Sequence, residues 1–281
     1  MKVINNKKEL SDLIFAFKAN KQTVGFVPTM GALHEGHLSL VKKSNIENDI
    51  TVISIFVNPT QFNNKNDYNK YPRIIDKDID TLKNVKCDIL FIPTEEEMYP
   101  KEDTKVFDLG NLDKVMEGKH RPGHFYGVAL IVSKLFELVK PHKAYFGEKD
   151  FQQVAIINRL CKIQNYEIEI IACPIIRESD GLAMSSRNML LSAEQRENVA
   201  LISKTLLASV EQSKSMTVSE LKEWVISEIN SNHFLDVEYF DIVNDSTLES
   251  IEDWTEREHS IGCIAVHVGS IRLIDNIRFY F

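Results

Sequence analysis

Apolar residues recur along the chain in two periods, and their alternation predicts a βα order from the first segment onward. Leu10, Leu13, Ile14 and Phe17 fall at helical spacing within Lys8 to Asn20, which predicts a packing helix. Val24 to Val27 then reads as a short strand. Asp49 to Val57 (DITVISIFV) is β-branched and apolar throughout, as a central parallel strand covered on both faces requires. Ile74 to Lys86 reads as helix and Cys87 to Ile92 as the next buried strand, giving a second βαβ unit with a right-handed crossover. Val128 to Val139 is a strongly apolar helix, stopped by Pro141. Ala144 to Phe146 is a short strand, a helix begins around Phe151, and Glu167 to Ala172 supplies a further strand.

Between these elements, Asn63 to Lys70 (NNKNDYNK) is polar and Asn-rich and reads as a mobile loop suited to a lid. Lys105 to Leu109 is a short strand candidate, and Glu117 to Val128 reads as a flexible basic loop. Beyond Asn188 the pattern changes. Ser192 to Ser213 and Val218 to Asn230 read as amphipathic helices. The runs Leu235 to Val243, Ile261 to Val268 and Ile271 to Phe281 alternate as strands of an antiparallel sheet with one covered face. The expectation is an α/β protein: a Rossmann-like doubly wound parallel sheet over residues 1–176, closely followed by a smaller α+β domain over 177–281.

Composition narrows the classes. The 281 residues, 43% hydrophobic and 26% charged, suffice to bury a full core and do not suggest disorder. Cys87, Cys161, Cys173 and Cys263 are scattered, with no CxxC and no secretory leader, and so read as reduced thiols of a cytoplasmic protein. No apolar run approaches the ~20 residues that span a bilayer. A net charge of −8 weighs against nucleic acid, whose binding depends on Lys and Arg meeting phosphates.

The richest stretch, Pro28-Thr29-Met30-Gly31-Ala32-Leu33-His34-Glu35-Gly36-His37, leads from a strand into an amphipathic helix. The unpaired amides and positive dipole end of a helix start favour an anion, so this turn reads as a phosphate cradle in a nucleotide site. His34 and His37 can face that anion together. Gly31 and Gly36 would make room for it, and Met30 and Leu33 would supply apolar contact. Zinc ligation is a rival reading of the two histidines, but no Cys or third His lies nearby to complete a shell. The strand end at Asn58 to Phe62 brings amides at Asn58 and Gln61 toward the same edge, although a plain Asn-Pro turn reads equally well. Gly147-Glu148-Lys149-Asp150 repeats the strand, turn and helix arrangement, with Lys149 as a point charge for phosphate and Asp150 as an N-cap. In Asp180-Gly181-Leu182-Ala183-Met184-Ser185-Ser186-Arg187, two hydroxyls and a guanidinium can wrap phosphates.

Taken together, PTMGALHEGH, RPGHFYGV, FGEKDFQQ and DGLAMSSRN resemble the pantoate-beta-alanine ligase family, a branch of the adenylyl-transferring superfamily with the HxGH signature. The third motif matches the family pattern in full. Ala183 and Ser186 stand where the superfamily's KMSKS loop has lysines, which disfavours a tRNA synthetase. The resemblance implies that pantoate attacks the α-phosphorus of ATP·Mg²⁺, and that β-alanine then attacks the pantoyl adenylate to release AMP. It implies catalytic roles for His37, His34 and Lys149. ATP would be bound by Met30 through His37, Gly147 to Asp150, Ile176, Met184, Ser185, Ser186 and Arg187. Substrate would be held by Gln61 and Gln153, with Asn58 and Arg121. A homodimer is also implied. Magnesium ligands are not assigned, Asp76 and Asp78 being the nearest candidates. A small-molecule nucleotidyltransferase is the alternative activity, and a noncatalytic nucleotide-binding module is a further one.

Overall fold

In the computed structural model, which describes residues 1–101 and 103–279, six strands build one sheet. They are β1 (Lys2–Ile4), β2 (Val24–Thr29), β3 (Ile50–Ile55), β4 (Ile89–Phe91), β5 (Lys143–Gly147) and β6 (Glu169–Cys173). Their order is β1-β4-β3-β2-β5-β6, and every pairing is parallel. The chain runs from β2 outward to β4, then returns to add β5 and β6 on the other side, so the order reverses between β2 and β5. Open α/β sheets bind ligands outside the carboxyl ends of the strands at such a reversal.

The helices are α1 (Lys7–Ala19), α2 (Glu35–Glu47), α3 (Lys65–Lys70), α4 (Ile75–Lys83), α5 (Glu95–Met98), α6 (Met116–His120), α7 (His124–Val139) and α8 (Phe151–Gln164). Successive strand residues alternate between two cores. Phe26, Val52, Ile89 and Ala144 meet α1, α7 and α8, whereas Val27, Ile53, Leu90 and Tyr145 meet α2 and α4. All of β3 is buried for that reason. No helix among the described residues is long and apolar enough to cross a membrane.

The carboxyl-terminal part carries α9 (Ala193–Asn198), α10 (Leu201–Gln212), α11 (Val218–Asn230) and the antiparallel strands β7 (Leu235–Asn244), β8 (Ser260–Val268) and β9 (Ile271–Arg278). Phe240, Ile242, Ile264 and Val266 face α10 and α11. The opposite face is also engaged: Tyr239, Val243, Ile261 and Cys263 meet Met116 and Phe151 of the larger domain. Polar groups strengthen that seam. The Glu117 carboxylate on α6 accepts two bonds of 2.7 Å from Arg272 and one of 2.8 Å from the Tyr239 hydroxyl.

Several local expectations change. Asn63 to Lys70 is mostly helix α3, because Asn64 caps it by accepting from the Asn66 amide. Lys105 to Leu109 pairs with no strand among the described residues; its Lys105 carbonyl accepts from the Tyr126 hydroxyl instead. Glu117 to Val128 is not an open loop but the end of α6 and the start of α7. The helix expected over 192–213 breaks into α9 and α10 at Val199 and Ala200. The final strand ends at Arg278, and Tyr280 and Phe281 lie outside the described residues.

Burial pushes the Glu117 carboxyl up, but the Arg272 fork and the other donors outweigh it and hold it down at about 2. An unfolded Glu titrates near 4.3, so this group stabilises the fold above that pH and the contribution is lost as pH falls toward 2. Acid unfolding should therefore steepen in that window. Glu117→Gln should remove the added slope and lower stability at neutral pH by on the order of 3 kcal/mol, read by urea unfolding at a series of pH values.

Candidate functional site

β2 ends at Thr29, and the turn that follows is left-handed at Gly31 and Ala32 before α2 begins. Most of its amides are already engaged. The Gly31 amide donates to Thr29 Oγ1 at 3.1 Å, and the Ala32 and Leu33 amides donate to the Asp78 carboxylate at 2.9 and 2.7 Å. His34 is the N-cap of α2: its Nδ1 accepts from the Gly36 amide at 3.1 Å, while His37 Nδ1 accepts from the His34 amide at 3.4 Å. The two imidazoles thus form a reciprocal capping box, an arrangement usually made by Ser or Thr with Glu. The expectation of bare amides is corrected at Gly31, Ala32, Leu33, His34 and Gly36, whose N–H groups are taken within the chain.

A backbone amide can only donate, so each Nδ1 is an unprotonated acceptor. Each neutral ring then carries its proton on Nε2. Burial, followed by the charge of Lys149, lowers His34 to about 4. Burial, the neighbouring His34 and Lys149 lower His37 well below the ordinary range. The rings lie with centroids 4.1 Å apart, and both line the cleft. Gly36 is required by this arrangement, since an added Cβ would come within 2.8 Å of the His34 ring. That room serves the imidazole rather than a phosphate, and at Gly31 a Cβ would meet Ile55 and Asp78. Ser186 secures the turn from the other side by donating to the Ala32 carbonyl at 3.0 Å.

The second turn stands beside the first because β5 pairs with β2. Lys149 lies in the 3-10 turn Glu148–Asp150, its Nζ 3.7 Å from the Asp150 carboxylate. Asp150 is the N-cap of α8, but its side chain makes no capping bond. Asn276 on β9 donates to the Glu148 and Lys149 carbonyls at 2.8 and 3.1 Å, tying the antiparallel sheet to this turn. Asn276 had no sequence signal beyond being polar in an apolar strand. Arg187 is held by Asp67 of α3, with its NH2 nitrogen 2.9 Å from Oδ2. The polar segment 63–70 therefore reaches the cleft through one ion pair.

The cleft brings together Met30, His34, Gly36, His37, Asn58, Gln61, Gly147, Lys149, Asp150, Gln153, Ile176, Met184, Ser185, Ser186 and Arg187. Ala32 and Leu33 are buried, and Glu35 turns outward to Lys42. Gly31 and Glu148 shape the turns without lining the cleft. Asn58 is at the wall with its amide committed: it donates to Gln61 Oε1 at 3.0 Å and to the Gly127 carbonyl at 3.1 Å, and accepts from the Tyr99 hydroxyl at 2.7 Å. Arg121 lies outside this cleft, in an adjoining crevice that shares Lys149 and Gln153 with it. Helix α7, read from sequence as core, also gives the cleft an apolar wall of Val128, Ile131, Val132 and Leu135. The cleft holds about 1220 Å³ including the solvent at its mouth.

Known proteins share this architecture over its full length. A profile of the family described as pantoate-beta-alanine ligase matches residues 2–278. The pantothenate synthetase of Bacteroides fragilis is 53% identical over 279 residues, 99% of each chain, and that of Porphyromonas gingivalis 48% over the same length and coverage. Among solved structures, the pantothenate synthetase of Thermus thermophilus aligns over 100% of both chains with a TM-score of 0.93 and 39% identity. The Francisella tularensis pantoate-beta-alanine ligase, complexed with beta-gamma ATP and beta-alanine, covers 99% of this chain and 98% of its own, with a TM-score of 0.82 and 36% identity.

Asp78 sits 45 residues from the turn it holds, and its commitment there removes it from the candidate magnesium ligands. Asp78→Asn keeps one acceptor and sets an NH2 group against the second amide. It should cost about 1–3 kcal/mol of stability, the scale for a buried donor left unsatisfied, and should weaken ATP binding. Urea unfolding and equilibrium ATP titration of the same variant check both effects.

Proposed function

The chain belongs to the pantoate-beta-alanine ligase family, and on that premise we propose how its cleft divides the work of the reaction. The protein is an amide-forming ligase: pantoate is activated by ATP as pantoyl adenylate, and β-alanine displaces AMP to give pantothenate. Both steps move negative charge on phosphate oxygens, so the site has mainly to position reactants and stabilise that charge. The neutral His34 and His37 present Nε2–H donors to the α-phosphate. A neutral donor keeps its proton as charge builds on the oxygen and so acts as a fixed hydrogen bond rather than an acid. Lys149, Ser185 and Arg187 stabilise the departing pyrophosphate, and Arg187 exchanges its Asp67 partner for phosphate oxygens. Ser186 acts through the turn it holds.

Gln61 and Gln153 hold the hydroxyls and carboxylate of pantoate, and Asn58 orients Gln61. The geminal methyl groups of pantoate suit the apolar wall of α7. Among the described residues there is no group of three or more His, Cys, Asp or Glu side chains able to hold a metal. Magnesium enters as part of the ATP·Mg²⁺ substrate, carried by the triphosphate, and Asp150 is the carboxylate that lines the cleft. The division of the chain near residue 176 follows the separate cores of the two sheets. A homodimer and a cytoplasmic location complete the proposal; the four free, buried cysteines support a reducing compartment.

The single observation that carries this reading is the pair of tautomer-fixed imidazoles facing Lys149 across one cleft. No covalent nucleophile is needed, so the intermediate is a bound mixed anhydride. Labelled pyrophosphate should exchange into ATP when pantoate and magnesium are present and β-alanine is absent. Exchange that requires β-alanine would sink the two-step route. His37→Ala should lower exchange and turnover by roughly 10²–10³-fold, the scale for removing one donor aimed at developing charge. The lost cap should cost only about 1 kcal/mol in a parallel unfolding measurement.

A further inference from the structure

Arg121 and His124 belong to a conspicuous motif, yet neither lines the main cleft. Their bonds run toward it. Arg121 donates from NH1 to His124 Nε2 at 3.1 Å. A guanidinium has no acceptor, so Nε2 is the unprotonated nitrogen and the ring proton sits on Nδ1. That Nδ1–H meets the Gln61 carbonyl at 2.8 Å. Arg121 is fixed in turn by the Glu117 carboxylate, 3.5 Å from NH1, which Arg272 and Tyr239 grip from the antiparallel sheet.

The 3-10 turn Pro59–Gln61 is clamped to α7 by more than this bond. Asn58 donates to the Gly127 carbonyl one helical turn along, and a Cβ at Gly127 would lie 2.3 Å from the Thr60 carbonyl oxygen and 2.6 Å from the Gln61 nitrogen. Backbone meets backbone here with no space between. Once the main chain of Gln61 is set, its side chain reaches the cleft between Asn58 and Met30 Sδ.

We infer that His124 is a positioning residue for pantoate: its Nδ1–H, held in that tautomer by Arg121, fixes the main chain of Gln61 and so the amide that meets the substrate. The inference rests on the proposal that Gln61 contacts pantoate. It also gives the antiparallel sheet a route to the substrate, from Arg272 through Glu117, Arg121 and His124.

Three variants test it: His124→Leu removes the donor, His124→Asn places an amide N–H where Nδ1–H stood, and Gln61→Ala is the reference. His124→Leu should raise KM for pantoate about tenfold while KM for ATP stays within about twofold. His124→Asn should recover most of the pantoate KM. A rise for pantoate and ATP alike, a fall in kcat alone, or an Asn variant as impaired as Leu would make His124 merely structural and overturn the inference. A pantoate effect in Gln61→Ala without one in His124→Leu overturns the inference and leaves the reading of Gln61 standing; no effect in either overturns both. An effect in His124→Leu without one in Gln61→Ala rules out the route through Gln61. Should His124→Leu fail to fold, Arg121→Gln must raise the pantoate KM selectively, and an unchanged KM there overturns the inference equally.

Discussion

Two imidazoles close the first turn of α2 by each accepting a backbone amide through Nδ1, and much of the cleft is built to keep that turn in place. The bonds settle three properties together: the direction of each ring, its neutral state, and the proton on Nε2. A lone histidine at a helix start could take either tautomer and a range of rotamers. Here Asp78 holds the preceding amides, Ser186 holds a carbonyl, and the missing Cβ at Gly36 admits the His34 ring. Residues from α4 and from the segment after β6 thus meet at one turn of backbone. Preorganisation of this kind lets donors meet developing charge with little rearrangement at the moment of reaction.

The smaller domain takes part in the same construction. Ser186 and Arg187 approach from its leading segment, Asn276 supports the Lys149 turn, and Arg272 with Tyr239 fixes Glu117. Asn276, Arg272 and Tyr239 lie on the strand face turned toward the parallel sheet, while the other face meets α10 and α11. An antiparallel sheet with one solvated face would have left the cleft open on that side. The seam is charged and buried, which makes breaking one partner costly and gives the relative placement of the sheets a defined geometry.

Much of this was legible in the chain. The switch from period-two runs to helical spacing located most of the strands and longer helices, and the strand-turn-helix motifs at His34 and Lys149 marked the two adjoining strand ends. What stayed hidden was mostly non-local. Asp78 looks like a surface residue of a polar helix until the fold brings it against Ala32 and Leu33. The three-residue spacing of His34 and His37 is also the spacing of a capping box, but histidines are read first as ligands. KVFDL has the composition of a strand, yet one tyrosine hydroxyl satisfies a carbonyl of it and it pairs with no strand among the described residues. An apolar helix such as α7 reads as core whether its neighbour is a side chain or a ligand cavity. Asn63 to Lys70 is short of apolar residues, but an Asn cap and the Asp67–Arg187 pair give it helical form.

The state of the two imidazoles is what the account depends on most, and nitrogen-15 NMR of the labelled protein observes it directly. Near neutral pH, His34 and His37 should both appear as neutral rings protonated at Nε2, with His34 titrating only near pH 4 and His37 well below the ordinary imidazole range. A protonated ring at neutral pH, or a proton on Nδ1 of either residue, would contradict the capping box and the donor role derived from it.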